Sequence, residues 1–424
     1  MEISLIKLRN IVKNQKKLIE NFSYLSALHL FNLIIPLIIY PYIIGILGKE
    51  TYGLVVFAQA IVSYLVLLVG YGFNITGAME VSIHRENNSK LSEILSSILV
   101  IKIGFLLVSF FLLYLILLFI PVSKGYEILF YMSMWFCLYD IIFPGWYFQG
   151  IEQMKWITYI SLIMRLTFVG LIYFFIKKQS DFLLVPILNG VGSMIAGSVA
   201  LFIIYKKHQI KFKIQSYKTL KYYFIKASPI FLSNISSSAI TSTTKVIIGL
   251  YLGMAETAYF DLADKLTNIL KTPQFIFSQI VLPKITREKS ISFVKKLRNY
   301  SFIANTIMII LIYMFINSII FILGGKQMLP AKETILIMLL TVPFSALMSV
   351  YGVQMLIPFG FSKLYTKIIF TSGLIYIFQI AFIKYTFGIT LISLSIVTLI
   401  TEVITVAIAH VYCKKNVFNN LLYN

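Results

Sequence analysis

Twelve apolar runs, each long enough to cross a bilayer, constrain this chain more than any motif in it. A helix needs about 20 apolar residues to span roughly 30 Å of hydrocarbon. Runs of that kind lie near 23–45, 53–76, 93–120, 127–148, 156–176, 182–205, 227–250, 257–282, 299–323, 333–357, 365–384 and 389–412. In lipid every backbone N–H and C=O must be satisfied within the segment, so each run reads as a helix. Charged residues are 12% of the chain, against about 25% in soluble domains. The expected fold class is all-α: a polytopic membrane protein with about twelve transmembrane helices.

The loops between the runs orient it. With the N-terminus inside, cytoplasmic segments hold 24 of the 37 basic residues and outer loops hold seven. Lys and Arg near helix ends resist translocation, so both termini are expected in the cytoplasm. The richest segment is 206–226, with seven lysines and no acid. The net charge of +21 would otherwise suggest nucleic acid, but such a partner needs basic residues gathered on a folded surface. Here they sit in short loops, so nucleic acid is excluded as a partner. No cleavable leader is evident in residues 1–22; Leu5, Leu8 and Val12 could share one face of an interfacial helix, but a charged leader that keeps the N-terminus inside is the preferred reading. Cys137 and Cys413 suggest neither a disulfide nor a metal site.

The basic segment also divides the chain. LGKETYGLVVFAQAI from Leu47 is echoed by LGMAETAYFDLADKL from Leu252, 205 residues later. Each places Leu-Gly at the outer end of a span, then Glu-Thr, then an aromatic entering the next. Two halves entering the membrane in the same sense imply a parallel repeat with a cavity between them. The expected organisation is an N-terminal lobe (1–205), a basic cytoplasmic linker (206–226) and a C-terminal lobe (227–424), two pseudo-symmetric six-helix bundles around a central cavity.

The runs contain ionisable residues that would be costly facing lipid, nine of them Lys102, Asp140, Arg165, Lys245, Asp261, Asp264, Lys265, Lys271 and Glu402. At about 2.5–3.5 kcal/mol for each charge at a helix centre, the set would cost on the order of 25 kcal/mol facing lipid. That exceeds a typical net stability of about 5–15 kcal/mol. They must line a watered cavity, pair with one another or reach an interface. Lys102 and Lys271 lie toward the cytoplasmic ends, where they could snorkel. Asp261 and Lys265 have the acid-first, four-residue spacing of an intrahelical pair. Arg165 and Lys245 have no acid within four residues, and a guanidinium fork suits phosphate oxygens; an anion is the expected cargo. The seventh run crowds Ser233, Asn234, Ser236, Ser237, Ser238, Thr241, Ser242, Thr243 and Thr244 ahead of Lys245. Such residues either let helices pack closely or give one helix face to water, and the second reading is preferred. Carboxylates confined in such a site are candidates to exchange a coupling ion, H+ or Na+, with Asp264, Asp261, Asp140 and Glu402 as the choices.

Three stretches carry a resemblance: 34–61 continuing to 71–82, PGWYFQGIEQMKWIT (144–158), and SPIFLSNISSSAIT (228–241) with AYFDLADKL (258–266) and LPKIT (282–286). They resemble the polysaccharide-transporter branch of the multidrug/oligosaccharidyl-lipid/polysaccharide exporter superfamily, the O-antigen and capsule repeat-unit flippases. The resemblance implies two six-helix lobes enclosing a cationic cavity in a bacterial inner membrane. It implies a cargo of undecaprenyl-diphosphate-linked oligosaccharide moved to the outer leaflet by alternating access. A polysaccharide polymerase and chain-length machinery are the implied partners, besides membrane lipid. Arg165, Asp264 and Lys265 fall where the family's pattern has the same residue types. Gly45 and Met79 stand where relatives often have a basic residue, with Arg85 nearby. The expected contacts for diphosphate and sugar are Arg165, Lys245, Lys102, Lys265, Lys271 and Asn234. In the second stretch, Trp146, Tyr147 and Trp156 read as interfacial anchors around a turn at Gly150, with Gln149 and Glu152 as candidate gates of the inner mouth.

Two other readings are weighed. An organic-cation exporter of the same superfamily should have a cavity dominated by carboxylates and aromatics. A membrane polymerase or glycosyltransferase needs a long catalytic loop or an acidic metal cluster, and the chain has no Asp-x-Asp and only four scattered histidines. No enzymatic activity and no cofactor are expected.

Overall fold

The computed structural model describes residues 2–418, with side chains described from residue 20 onward except at 21, 22, 25, 233, 236–239, 283 and 418. The proposed interfacial face of Leu5, Leu8 and Val12, and the side chains of Ser233, Ser236, Ser237 and Ser238, lie outside the described residues. Among the described residues the regular structure is all helical, with no strand.

In chain order the α-helices are α1 (Glu2–Gly70), α2 (Phe73–Ile83), α3 (Asn88–Phe119), α4 (Glu127–Ser133), α5 (Trp135–Ile142), α6 (Gly145–Gly150), α7 (Met154–Phe175) and α8 (Leu184–Phe202). Then follow α9 (Tyr217–Tyr251), α10 (Met254–Glu288), α11 (Ile291–Gly324), α12 (Lys332–Leu339), α13 (Thr341–Met348), α14 (Ser362–Thr386) and α15 (Leu391–Cys413). Nine stretches among the described residues are long and apolar enough to cross a membrane. The first, Ser26–Ile83, has 58 residues and takes in two of the apolar runs; α1 within it is interrupted at Gly48 (φ 73°, ψ 166°). α9 and α10, of 35 residues each, are outside the nine.

Two runs are broken where the sequence suggested single helices. Residues 127–148 form α4, α5 and most of α6, interrupted before Pro144, whose ring disfavours helical backbone at Phe143. Residues 333–357 pass from α12 through α13 into π-helical turns at Ser349–Leu356. The basic segment is not all loop either, because α9 begins at Tyr217 and carries Lys218, Lys221 and Lys226.

α3 shows what the bilayer asks of a surface. Its most apolar window has mean hydropathy 2.6 yet only 28% of it is buried, and Leu107, Phe111 and Phe119 are more than half exposed. So apolar an exposed face needs lipid rather than water around it.

Packing separates two compact units. Unit 1 is Met1–Ile39, Leu65–Lys177 and Leu183–Leu232; unit 2 is Tyr40–Tyr64, Lys178–Phe182 and Ser233–Asn424. Both copies of the Leu-Gly repeat fall in unit 2. Each glycine has positive φ, Gly48 at 73° and Gly253 at 118°, a conformation glycine adopts without penalty. The copies pack together: a Cβ on Gly53 would overlap the carbonyl oxygen of Met254. Beyond this point α1 lies along α9, with Ser63 Oγ 2.9 Å from Ser242 Oγ and Tyr64 Oη 2.5 Å from Thr243 Oγ1. Thr244 is fully buried and bonded to Tyr376. These hydroxyls bond across helix contacts, which corrects the water-lining reading for buried Thr244; Ser242 and Thr243 are half-buried. Further along unit 2, Val294, Val350, Leu356 and Ala409 close a dry core.

Candidate functional site

Unit 2 gathers four of the in-span charges into one cluster. Lys245 on α9 donates to Asp261 Oδ1 and Asp264 Oδ2 on α10, both at 2.8 Å. Lys265 bonds Asp261 Oδ2 at 2.6 Å, the intrahelical pair its spacing suggested. The Tyr52 hydroxyl donates to the same oxygen at 2.6 Å and accepts from Lys265. Asn268 donates to Asp264 Oδ1 at 2.9 Å. The Lys265 ammonium also lies 4.6 Å from the Tyr40 ring centroid and 5.1 Å from that of Tyr52, within cation–π range. Asp261 and Asp264 are buried. Two lysines and two aspartates leave the cluster formally neutral, as burial requires when charges must pair. Lys245 is therefore not the free cation that its sequence neighbourhood suggested; its partners come from the next helix.

Unit 1 pairs another lysine. Lys102 on α3 is 1% exposed and donates to Asp140 Oδ2 at 2.6 Å and to the Asp140 carbonyl at 2.9 Å. It does not snorkel. Short α5 delivers both acceptors from one residue near its end. Arg165 on α7 behaves differently: it is half-buried, its Nε has no hydrogen-bond partner, and its electrostatic neighbour is the phenol of Tyr139. At the linker end of the unit, buried Glu80 on α2 accepts from Lys226 on α9, with His84 Nδ1 3.9 Å from its other oxygen.

The remaining expected residues lie apart. Lys271 is half-buried on α10 beyond the cluster, and Glu402 is half-buried on α15 near the phenol of Tyr365. Asn234 is half-buried about three turns before Lys245 on α9. Gln149 is exposed at the end of α6. Gly150 is buried because a Cβ there would press on Val81 and the Ala78 carbonyl. The left-handed residue of this turn is instead Glu152 (φ 58°), which pairs with Arg85 at 3.2 Å. Trp146 and Tyr147 are 3% and 1% exposed, so they are core side chains packed behind α2 rather than interfacial anchors.

Sequence reasoning missed Tyr52, Tyr40, Asn268, Glu80 and Lys226. Tyr52 had a signal, since it is the aromatic of the first repeat copy. Glu80 had none, because a lone carboxylate after a break at Tyr71–Gly72 reads as a helix end.

Residues 18–288, more than half of the chain, match the profile of a family described as polysaccharide biosynthesis proteins. A candidate O-antigen transporter of Escherichia coli (strain K12) is 25% identical over 378 residues, covering 85% of this chain and 89% of that protein. A second, from Shigella dysenteriae, is 25% identical over 397 residues, covering 91% and 98%. Among solved structures, the lipid II flippase MurJ in an inward closed conformation superposes with TM-score 0.75 at 16% identity, over 92% of this chain and 87% of its own. An inward-facing multidrug resistance MATE transporter of the MOP superfamily superposes with TM-score 0.70 at 12% identity, over 90% and 94%. The fold is shared with these carriers. By the extent of the profile match, this multi-pass membrane protein belongs to the polysaccharide biosynthesis protein family.

Proposed function

We propose that the chain is a flippase that carries undecaprenyl-diphosphate-linked oligosaccharide repeat units from the cytoplasmic to the outer leaflet by alternating access. The observation that carries this reading is a conjunction. A polysaccharide biosynthesis family matches a chain whose fold is shared with carriers, one of them named for a lipid substrate. Both aligned relatives, candidate O-antigen transporters, are covered over nearly their whole length. A carrier rather than an enzyme fits these similarities.

On this reading the membrane is crossed twelve times: Ser26–Ile83 counts twice about Gly48, and α9 and α10 join the other eight stretches. The bias of basic residues puts both termini in the cytoplasm of a bacterial inner membrane. Arg165 is the contact for diphosphate, because its guanidinium is half-buried with a free donor. Lys245, expected beside it in that role, is held by two carboxylates. The Lys245–Asp261–Lys265–Asp264 cluster is the candidate for ion coupling. A proton or Na+ on either aspartate would upset its charge balance and release the helices it joins. An inside-negative potential would assist an outward-moving diphosphate by about 2.3 kcal/mol per charge per 100 mV. A polymerase and chain-length machinery would take the product.

Deleting the gene should make a lipid-linked oligosaccharide accumulate on the inner leaflet, detected by its inaccessibility to external label. Wild-type protein should clear it, and Arg165→Ala should not, although inserted at normal level. Normal export in the deletion strain would reject the reading. Clearance by Arg165→Ala would remove this residue from the mechanism.

A further inference from the structure

An open cleft of about 420 Å³ lies at the linker end of unit 1, and its lining includes neither Lys102, Asp140 nor Arg165. It is walled by the turn after α2, the first residues of α3, the turn between α6 and α7, and His208. Its volume is in the range of about 300–1,000 Å³ typical of small-molecule sites. We propose that this cleft binds carbohydrate, and that it reads a sugar of the oligosaccharide cargo. The second half of this proposal rests on the flippase reading.

The chemistry of the lining selects the ligand. Arg85 and Glu152 form an ion pair at 3.2 Å, and both side chains are nearly half exposed to the cleft's solvent. Asn88 adds a carboxamide. The carbonyl of the Gln153 side chain accepts from Trp156 Nε1 at 3.0 Å, leaving its amide protons to donate elsewhere. His208 Nδ1 is 3.1 Å from the hydroxyl of buried Tyr147, which leaves the far nitrogen of the ring for a ligand. Planar groups that both donate and accept match pairs of neighbouring hydroxyls on a pyranose ring. Half-buried Ile151 supplies an apolar patch for the C–H face.

Other ligands fit less well. One arginine faces Glu86 and Glu152, an excess of acid that disfavours phosphate. Arg85 already neutralises Glu152, and no group of three or more metal-ligating side chains occurs among the described residues. A prenyl chain would leave the charged walls unpaired. The backbone adds an independent sign. Glu152 (φ 58°) and Gln209 (φ 55°), which follows His208, are both left-handed without being glycine. Such conformations persist where the surrounding structure holds them, and they gather at ligand sites.

Saturation-transfer NMR on the full chain in lipid nanodiscs tests this, with galactose, N-acetylglucosamine and the disaccharide N-acetyllactosamine as probes and inorganic pyrophosphate as competitor. Wild type should show transfer to at least one sugar, unaffected by pyrophosphate. Glu152→Asn, which keeps a residue tolerant of the left-handed region, and Asn88→Ala should each weaken binding about tenfold, as loss of a strong polar contact implies. Gly104→Ala, on α3 outside the cleft lining, should bind sugar as wild type does. No transfer to any sugar, equal transfer in both cleft variants, or displacement by pyrophosphate would overturn the proposal. If cells lacking the protein export glycolipid normally while the cleft variants still lose sugar, the flippase reading falls and the binding site stands. If transport is real but the variants bind normally, only the cleft falls.

Discussion

A buried charge is stabilising only in company, and the lysines of this chain can be tested on that point. Removing one member of a buried pair strands the other, at about 3–5 kcal/mol, whereas replacing both with apolar residues is often neutral. Lys102→Met should therefore lower the melting temperature sharply, and Lys102→Met/Asp140→Leu should recover most of the loss. A double variant no more stable than the single one would mean that Asp140 has another role. The same rule predicts that Lys245→Met is more damaging than Lys271→Met, since Lys245 holds two carboxylates and Lys271 lies outside their cluster. His208 supplies a pH test outside the spans. Burial, then the neighbouring Lys207, lowers its pKa below the usual 6.5. The unfolded chain thus binds the proton more readily, so this contribution is fully present above about pH 6.5 and fades as pH falls toward the depressed folded value. His208→Gln should flatten the fall in melting temperature between about pH 7.5 and 5.5; an unchanged slope would show that other groups set it.

Among the helices, glycine separates contact from mere composition. Gly53 touches the Met254 backbone, so Gly53→Ala should force α1 and α10 apart and cost about 1–3 kcal/mol, as overpacking generally does. A Cβ added at Gly104 on α3 would meet nothing within 4 Å. Gly104→Ala should be neutral or stabilising by up to about 1 kcal/mol, the helix-propensity difference. Thermal unfolding of the two variants side by side checks both statements, and equal effects would refute the close approach at Gly53. The repeat that flagged this region was readable because its signature, Leu-Gly followed one or two residues later by Glu-Thr, is local. That the two copies meet was not readable, because contact depends on which faces of α1 and α10 the chain brings together.

For the whole molecule, orientation is the property to test. Alkaline phosphatase fused after Lys124 or Lys326 should be active, and after Lys218 or Lys289 inactive, because the enzyme works only outside the cytoplasm. The reverse pattern would invert the proposed direction of transport. The sequence by itself determined the helical class, the approximate positions of the membrane-length runs and the bias of basic loops, because the bilayer acts as a solvent on each segment independently. It also showed that the in-span charges could not all face lipid. Only the tertiary structure decided their partners: Lys102 reaches an aspartate 38 positions away, and Lys245 reaches two on the following helix. It likewise buried Trp146 and Tyr147 and packed 40–64 with 233–424 rather than with its chain neighbours. The physical reason is one of range: hydropathy and backbone satisfaction act within a segment, whereas charge pairing and close packing depend on faces brought together from segments far apart in the chain.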